Sequence, residues 1–159
     1  MKMKAKSWKS YAVWILLTEA VGGLAGLLTR SSMEIYKTAI LKPPLSPPAL
    51  VFPIVWSVLY ALMGVGAARI WRQPPSPARS RSLRLYLLQL FFNFVWPFLF
   101  FSLEAFGPAF LWLAALWFIV LRMILSFWDL DRPAAWLQIP YLVWLLFAAY
   151  LNLGVWKLN

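Results

Sequence analysis

The residues of this sequence that could bind or transform a ligand are tryptophans, tyrosines, amides and a few carboxylates. The sequence has no cysteine and no histidine. This excludes disulfides, thiolate and imidazole metal sites, and histidine-based acid–base catalysis. Eleven tryptophans, six tyrosines and twelve phenylalanines remain among 159 residues. We therefore expect no metal site and no required cofactor, and any chemistry must use aromatic rings, amides, a carboxylate or the ligand itself.

Aromatic and amide residues recur every three or four positions in three stretches, which places each set on one face of a helix. The sets are Phe52, Trp56, Tyr60 and Gly64; Gln89, Asn93, Trp96 and Phe100; and Tyr141, Trp144, Ala148 and Asn152. A single aromatic residue more often packs in a core or at a membrane interface. A shared site requires that the three faces meet at one level.

The composition indicates a membrane protein of one domain, 1–159. Hydrophobic residues make up 63% and charged residues 13% of the chain, with a mean hydropathy of +0.72. A helix needs about 20 apolar residues to cross a bilayer, and five stretches are long enough. We predict an all-α bundle of five transmembrane helices, at Ser10–Thr29, Ala49–Trp71, Leu83–Phe101, Pro108–Trp128 and Pro133–Trp156.

The segments between the spans are short. We expect a basic proline-rich connector at Gln73–Ser82, a tight turn at Ser102–Gly107 and a charged turn at Asp129–Arg132, with Pro133 at a helix start. Pro140 is expected to bend the fifth span. The fourth span has few polar residues, so we expect it to face lipid or other helices and to contribute no site residue.

The basic residues are distributed unequally about these spans. The N-terminal side carries eleven of them: Lys2, Lys4, Lys6, Lys9, Arg69, Arg72, Arg79, Arg81, Arg84, Arg122 and Arg132. The other side carries four: Arg30, Lys37, Lys42 and Lys157. The positive-inside rule therefore predicts a cytoplasmic N-terminus and a C-terminus on the opposite side. The net charge of +10 falls in the gaps between apolar runs, so we expect membrane lipids and no nucleic acid as partners.

A proline-rich segment precedes the second span. We call Lys42–Pro48 the proline loop; Pro43, Pro44, Pro47 and Pro48 remove four backbone donors, so the loop cannot be helical throughout. It is expected to act as a lid. At ~1.5 Å per residue, aromatic or polar groups of four spans fall roughly 8–20 Å below it. These groups are Glu19, Trp56, Asn93, Trp96 and Trp144. Such agreement in depth favours one cavity over scattered packing.

Glu19 lies near the middle of the first span, on a face with Gly22, Gly23 and Gly26. An intramembrane carboxylate is by default a functional-site hypothesis, although a protonated glutamate that only joins helices is an equal alternative. The Gly22-x-x-x-Gly26 pattern permits close helix approach. Packing within the bundle explains it at least as well as a dimer contact.

Three motifs resemble the TspO/MBR family of tryptophan-rich sensory proteins and mitochondrial translocator (peripheral-type benzodiazepine receptor) proteins. They are KPPLSPP-x-x-VFPIVW-x-x-LY-x-x-MG (Lys42–Gly64), Y-x-x-QL-x-x-N-x-x-WP-x-x-FF (Tyr86–Phe101) and PYL-x-W-x-x-F-x-x-x-LN (Pro140–Asn152). The resemblance implies a five-helix bundle, often a homodimer. Its members bind porphyrins and, in many cases, sterols or synthetic ligands in a pocket capped by the first loop.

The resemblance also implies site residues. The pocket would include Trp56, Tyr60, Gln89, Asn93, Trp96, Trp144, Phe147, Ala148 and Asn152. Trp56 and Trp144 match tryptophans implicated in light-dependent porphyrin breakdown in some bacterial members. Leu45 and Leu50 stand where many relatives have aromatic residues, so the lid should stack less well on a ligand ring.

Three functions follow as hypotheses. The first is a membrane receptor or carrier for tetrapyrroles or lipid-like small molecules. The second is an enzyme that opens a porphyrin ligand by photo-oxidation, with Trp56 and Trp144 as the catalytic residues. The third is a small transporter centred on Glu19, which is disfavoured because this lone carboxylate has no second charged partner and the chain has no obvious inverted repeats.

Overall fold

The computed structural model describes residues 2–159, with side chains from residue 8 onward. The side chains of Lys2, Lys4 and Lys6, which contribute to the orientation prediction, lie outside the described residues. Seven α-helices follow in order: α1 (Lys2–Leu28), α2 (Arg30–Ala39), α3 (Val51–Trp71), α4 (Pro77–Pro97), α5 (Phe106–Trp128), α6 (Arg132–Trp136) and α7 (Ile139–Leu158). A π-helical turn, Phe98–Ser102, continues α4.

The prediction of an all-α bundle with five membrane spans is confirmed. The spans that the described residues form are Trp8–Leu28, Val51–Trp71, Pro77–Ser102, Phe106–Trp128 and Arg132–Leu158. The fifth combines α6 and α7, because the helix is interrupted at Leu137 and Gln138. Pro140 lies in the first turn of α7, directly after this break. Because proline has no amide hydrogen to bond to the carbonyl four residues earlier, the interruption accords with the bend expected at Pro140.

Helix α4 begins earlier than predicted, within the connector assigned to Gln73–Ser82. The Ser76 hydroxyl accepts a hydrogen bond from the Arg79 amide at 3.1 Å, and Pro77 occupies the first helical position. A serine cap followed by proline is a strong helix start, because it satisfies one free amide and presets φ. Asp131 caps α6 in the same way, with Pro133 after it. The predicted helix start at Pro133 is thus correct to within a residue.

Helix α5 is central to the bundle. Its buried face repeats every three and four residues: Phe106, Ala109, Leu113, Leu116, Val120, Met123 and Phe127. Such a seam is typical of helices packed at shallow angles, and α5 packs along both α4 and α7. By contrast, α1 is peripheral and exposes Val13, Leu16, Leu24 and Leu27 on its outer face, as expected of a helix in contact with lipid.

Pro97 accounts for the π-helical turn at the end of α4. Proline lacks the amide hydrogen that would bond back along the helix, and the next turn widens so that the Leu103 amide donates to the Phe98 carbonyl. The wider turn lets the Phe100 ring stack on Trp96, with ring centroids 5.0 Å apart. The turn therefore shapes the aromatic wall near this end of the bundle.

Small residues allow α1 and α3 to approach each other closely. A Cβ on Gly64 would lie 2.5 Å from the Ile15 Cα, and a Cβ on Gly22 would lie 2.0 Å from the Tyr60 ring. Both distances are shorter than van der Waals contact permits. Gly22 therefore serves packing inside the bundle, one of the two roles considered for it, whereas Gly23 and Gly26 have open space beside them.

The proline loop is fastened to the end of α7. The Tyr150 hydroxyl donates to the Pro44 carbonyl at 2.7 Å, and Pro43 packs against Gly154. The Asn159 side chain accepts from the Leu41 amide at 3.0 Å and donates to the Leu41 carbonyl at 2.9 Å. Two contacts thus hold one edge of the loop on α7, and two hydrogen bonds hold the residue before the loop to the residue after α7.

Replacement of Gly64 by alanine is expected to destabilise the protein by about 1–3 kcal/mol, because the added methyl group meets the Ile15 backbone. The thermal unfolding midpoint in detergent should fall. Gly23→Ala is the matched control, since a Cβ there meets nothing within 4 Å. Equal midpoints for the two variants would contradict this packing.

Replacement of Tyr150 by phenylalanine is expected to loosen the proline loop, because it removes the hydroxyl that holds Pro44. Loss of a hydrogen bond worth about 0.5–1.5 kcal/mol should make the Leu45 and Ser46 amides exchange roughly two- to tenfold faster. Hydrogen–deuterium exchange measures this rate. Tyr36→Phe, which keeps the ring packed on Phe100, should leave exchange of the loop unchanged. Unaltered exchange in Tyr150→Phe would show that this contact does not restrain the loop.

Candidate functional site

A cavity of about 810 Å³ opens beneath the proline loop, between α1, α3, α4, α5 and α7. Ligand pockets in proteins usually measure about 300–1,000 Å³, so this one has room for a large organic molecule. Helices α3 and α7 approach each other at few places, and the cavity occupies the space between them. Its walls consist mainly of aromatic and aliphatic side chains.

The α3 wall carries the aromatic set that its spacing predicts. Phe52, Trp56 and Tyr60 all line the cavity. The Trp56 and Tyr60 rings lie 5.4 Å apart at 30°, so they form one continuous surface. Gly64, the fourth member of the set, lies against Ile15 of α1 and not on the cavity.

The α7 wall faces α3 across the cavity. Trp144, Ala148 and Asn152 line it. The Trp144 ring meets Trp56 edge to face at 6.5 Å and 89°. Phe147, which was also predicted for the pocket, does not line it; the ring packs beside Trp144 at 5.3 Å and so supports the wall from outside.

A chain of hydrogen bonds fixes the polar residues behind this wall. Tyr60 donates to the Asn93 carbonyl oxygen at 2.8 Å, and the Asn93 amide donates to the Tyr141 hydroxyl at 2.8 Å. Tyr141 in turn donates to the Gln89 carbonyl oxygen at 2.9 Å. Asn93 lines the cavity, but Gln89 and Tyr141 are fully buried behind it. Gln89, which was predicted for the pocket, therefore does not line it; it holds Tyr141 and donates to the Met63 sulfur at 3.6 Å.

Trp96 and Asn152 form a second polar contact across the cavity. The Trp96 indole donates to the Asn152 carbonyl oxygen at 3.1 Å, and the Asn152 amide donates to the Phe106 carbonyl at 2.8 Å. Both predicted residues line the cavity. The contact joins α4, α5 and α7 near the end that carries the proline loop.

The proline loop covers part of the cavity mouth. Lys42, Pro47 and Pro48 line the cavity, as expected of a lid. Pro43 and Pro44 do not; they turn toward α7, where Gly154 and Tyr150 hold them. The loop therefore has one fastened edge and one edge that faces the cavity.

Helix α2 supplies the rest of the mouth and was not predicted from the sequence. Its residues Arg30, Met33, Glu34, Tyr36 and Lys37 line the cavity. The segment is short and amphipathic, with no buried residue. Such a pattern at the end of a span could have indicated a helix lying at the membrane surface.

Charged groups at the mouth are arranged in pairs. The Lys37 ammonium donates to the Glu34 carboxylate at 2.7 Å, and this hydrogen bond and charge lower the pKa of Glu34. The pair is therefore present at neutral pH and is lost only as pH falls through that lowered pKa. Lys42 donates to the Lys37 carbonyl at 2.9 Å and lies over the Tyr36 ring. Burial raises the pKa of Tyr36, so its hydroxyl stays neutral.

The prediction that the fourth span contributes no site residue is wrong. Leu113 and Leu116 of α5 line the cavity. They belong to the buried seam of α5, whose spacing of three and four residues was visible in the sequence. The seam places them deep between α4 and α7, where they form part of an apolar wall.

Glu19 lines the cavity together with Gly22, Gly23 and Gly26 of α1. The carboxylate faces the same space as Trp56 and Tyr60. The site therefore combines aromatic surfaces and amides with one deep acidic group, while basic residues lie at its mouth. This arrangement is suited to binding a large, mainly apolar ligand.

Comparison with known proteins agrees with the fold and the motifs. The profile of the TspO/MBR family matches residues 14–157. The chain is 31% identical to the tryptophan-rich protein TspO of Chlorobaculum tepidum over 93% of its own length and 94% of that protein. It is 33% identical to the translocator protein of Bos taurus, over 93% of this chain and 89% of that protein. It is 35% identical to the tryptophan-rich sensory protein of Cereibacter sphaeroides, over 74% of this chain and 73% of that protein. The chain therefore belongs to the TspO/MBR family.

Proposed function

We propose that this integral membrane protein is a receptor or carrier that binds tetrapyrroles in the cavity beneath the proline loop. The observation that carries the proposal is the aromatic surface that Trp56 and Trp144 form together, in edge-to-face contact, along a space of about 810 Å³. Offset and edge-to-face contacts between aromatic rings contribute about 0.5–1.5 kcal/mol beyond area burial. A flat macrocycle lying against this surface makes such contacts with both rings.

The apolar surface of the macrocycle supplies most of the affinity for a ligand that arrives from water. Burial of apolar surface contributes roughly 25 cal/mol per Å², from which association costs are deducted. Asn93 and Asn152 orient the polar edge of the ligand. Both side-chain amides already have hydrogen-bond partners in the protein. They can therefore add specificity for a ligand, and neither is left unpaired when no ligand is bound.

The basic residues at the mouth meet the ligand carboxylates. Arg30, Lys37 and Lys42 lie at this end, whereas Glu19 lies deep in the cavity. The carboxylates of a porphyrin therefore point toward the mouth and its apolar edge points inward. Exposed ion pairs contribute only about 0–1 kcal/mol each, so they set orientation more than affinity.

We propose the same orientation as the charge count predicts: the N-terminus in the cytoplasm, with the proline loop and C-terminus on the other side. A homodimer accords with the family resemblance. The relatives named translocator protein suggest movement of a ligand across or within the membrane. These assignments rest on the sequence, and the cavity is compatible with each of them.

Loss of either facing tryptophan is expected to weaken porphyrin binding about tenfold, because each ring forms one wall of the site. Protoporphyrin IX titrated into detergent-solubilised protein should quench tryptophan fluorescence to saturation, and Trp56→Ala and Trp144→Ala should both raise the dissociation constant. Trp136→Ala is the control, since Trp136 is 61% exposed on α6 and outside the cavity. Unchanged affinity in both cavity variants would exclude this site.

The contact between Trp56 and Trp144 also favours a second candidate function. A bound porphyrin excited by light can take an electron from an adjacent indole and then add dissolved oxygen. Return of the electron to the indole radical restores the indole, and both oxygen atoms remain on the cleaved methine bridge as two carbonyl groups. Trp56 and Tyr141 are also in ring contact, at 6.1 Å. The cavity thus groups several oxidisable side chains around one space.

Illumination separates the two functions. Loss of the main porphyrin absorption band, with a product beyond that formed by the same porphyrin bound to albumin, is expected if the protein is a photo-oxidative enzyme. Trp56→Phe and Trp144→Phe keep an aromatic ring but remove the indole that donates the electron. These variants should therefore still bind the porphyrin but degrade it severalfold more slowly. Equal degradation by these variants and by Trp136→Phe would leave binding as the sole function.

A further inference from the structure

Glu19 is the one acidic residue inside the spans that the described residues form. It lies nine residues before the end of α1, and Tyr60 lies nine residues after the start of α3. At ~1.5 Å per residue, both are about 14 Å below the mouth of the cavity. Both side chains line the cavity.

The side chains that line the cavity from α4, α5 and α7 carry no charge that could neutralise Glu19. Leu113 and Leu116 of α5 and Ala148 of α7 are apolar, and Asn93 of α4 is already paired with Tyr60. Among the side chains described from residue 8 onward, the ion pairs join Lys37 to Glu34 and Arg69 to Asp131. The basic residues at the mouth are Arg30, Lys37 and Lys42. The first of them lies eleven residues after Glu19 in the chain.

Aromatic surface lies directly beside the carboxylate. Gly22, one turn after Glu19, has no side chain, and this lets the Tyr60 ring pack against α1. Trp56 extends that surface, with its ring 5.4 Å from Tyr60. Gly23 and Gly26 leave open space on the other side. The result is a carboxylate, two aromatic rings and room for a bulky group.

This combination matches the chemistry of an organic cation. A carboxylate in an apolar cavity requires a proton or a counter-charge. Ring faces attract ammonium groups, and aromatic surfaces recognise quaternary ammonium ligands in particular. We propose that the cavity binds lipophilic ammonium compounds, with the cationic nitrogen between Glu19 and Tyr60 and the apolar remainder extending toward Trp56 and Trp144. The site is the one proposed for tetrapyrroles, but the inference does not require that a porphyrin binds.

Three fluorescent polyenes that differ only in charge test the proposal. Diphenylhexatriene is neutral, its trimethylammonium derivative is a permanent cation and its propionic acid derivative is an anion at neutral pH. Each is titrated into detergent-solubilised protein, and binding is followed by energy transfer from tryptophan. Empty micelles provide the partitioning background, which is the same for every protein variant in the same detergent.

Wild-type protein is expected to prefer the cationic probe over the neutral and anionic ones. Glu19→Gln should reduce the preference for the cation over the neutral probe about tenfold and leave neutral-probe binding intact. Glu34→Gln is the control, because that carboxylate lies at the mouth and is paired with Lys37; it should leave the preference unchanged. Glu19→Met, of similar length, should reproduce the loss.

Two outcomes overturn the inference. One is a wild-type protein that shows no preference for the cation over the anion beyond that of empty micelles. The other is a Glu19→Gln variant that keeps the wild-type preference. Protoporphyrin IX titrated into the same samples separates this proposal from the previous one: porphyrin binding without cation preference removes only the role of Glu19. Cation preference without porphyrin binding removes only the tetrapyrrole function.

Discussion

The structure depends on one constraint, which is that a polar group inside a bilayer must find its partner within the protein. Asn93 meets this constraint for three helices together, because it accepts from Tyr60 on α3 and donates to Tyr141 on α7. Gln89 completes the chain by accepting from Tyr141. Removal of a partner from such a network leaves a buried donor or acceptor unpaired, at a cost of about 1–3 kcal/mol. The network therefore fixes where α3 and α7 stand relative to α4.

The cavity follows from this placement. Helices α3 and α7 are joined through α4 at the level of Tyr60, and large rings line the space between this level and the proline loop. Trp56 and Trp144 meet edge to face along it. The seam of α5 forms part of its apolar lining, and the proline loop, fastened to α7 at one edge, lies across its mouth. Glu19 enters from α1, the helix that is least buried in the bundle.

Much of this arrangement could be predicted from the sequence. Long apolar runs specify membrane helices, and residues three or four apart share a face, so Trp56, Asn93, Trp144 and Asn152 were placed correctly. The agreement of their depths along separate spans predicted one cavity, because rise per residue is fixed. Proline at a helix start also made the beginning of α6 predictable from Pro133, whereas the serine cap and proline that begin α4 were placed within a connector.

Other features depend on tertiary contacts that periodicity does not encode. Gln89 and Phe147 share a face with cavity residues, but rotation of each helix against its neighbours turns them behind the wall. Pro43 and Pro44 differ from Pro47 and Pro48 only through the contacts that α7 makes with them. That Leu113 and Leu116 line the cavity was not predicted, because an apolar helix in a membrane protein can face either lipid or protein.

The most direct test of the account is an experimental structure of the protein in a lipid bilayer with protoporphyrin IX bound. The account predicts macrocycle density in the cavity against Trp56 and Trp144, with its carboxylates toward Lys42 and the mouth. Density on the lipid-facing surface of the bundle, with the cavity beside these tryptophans empty, would contradict it.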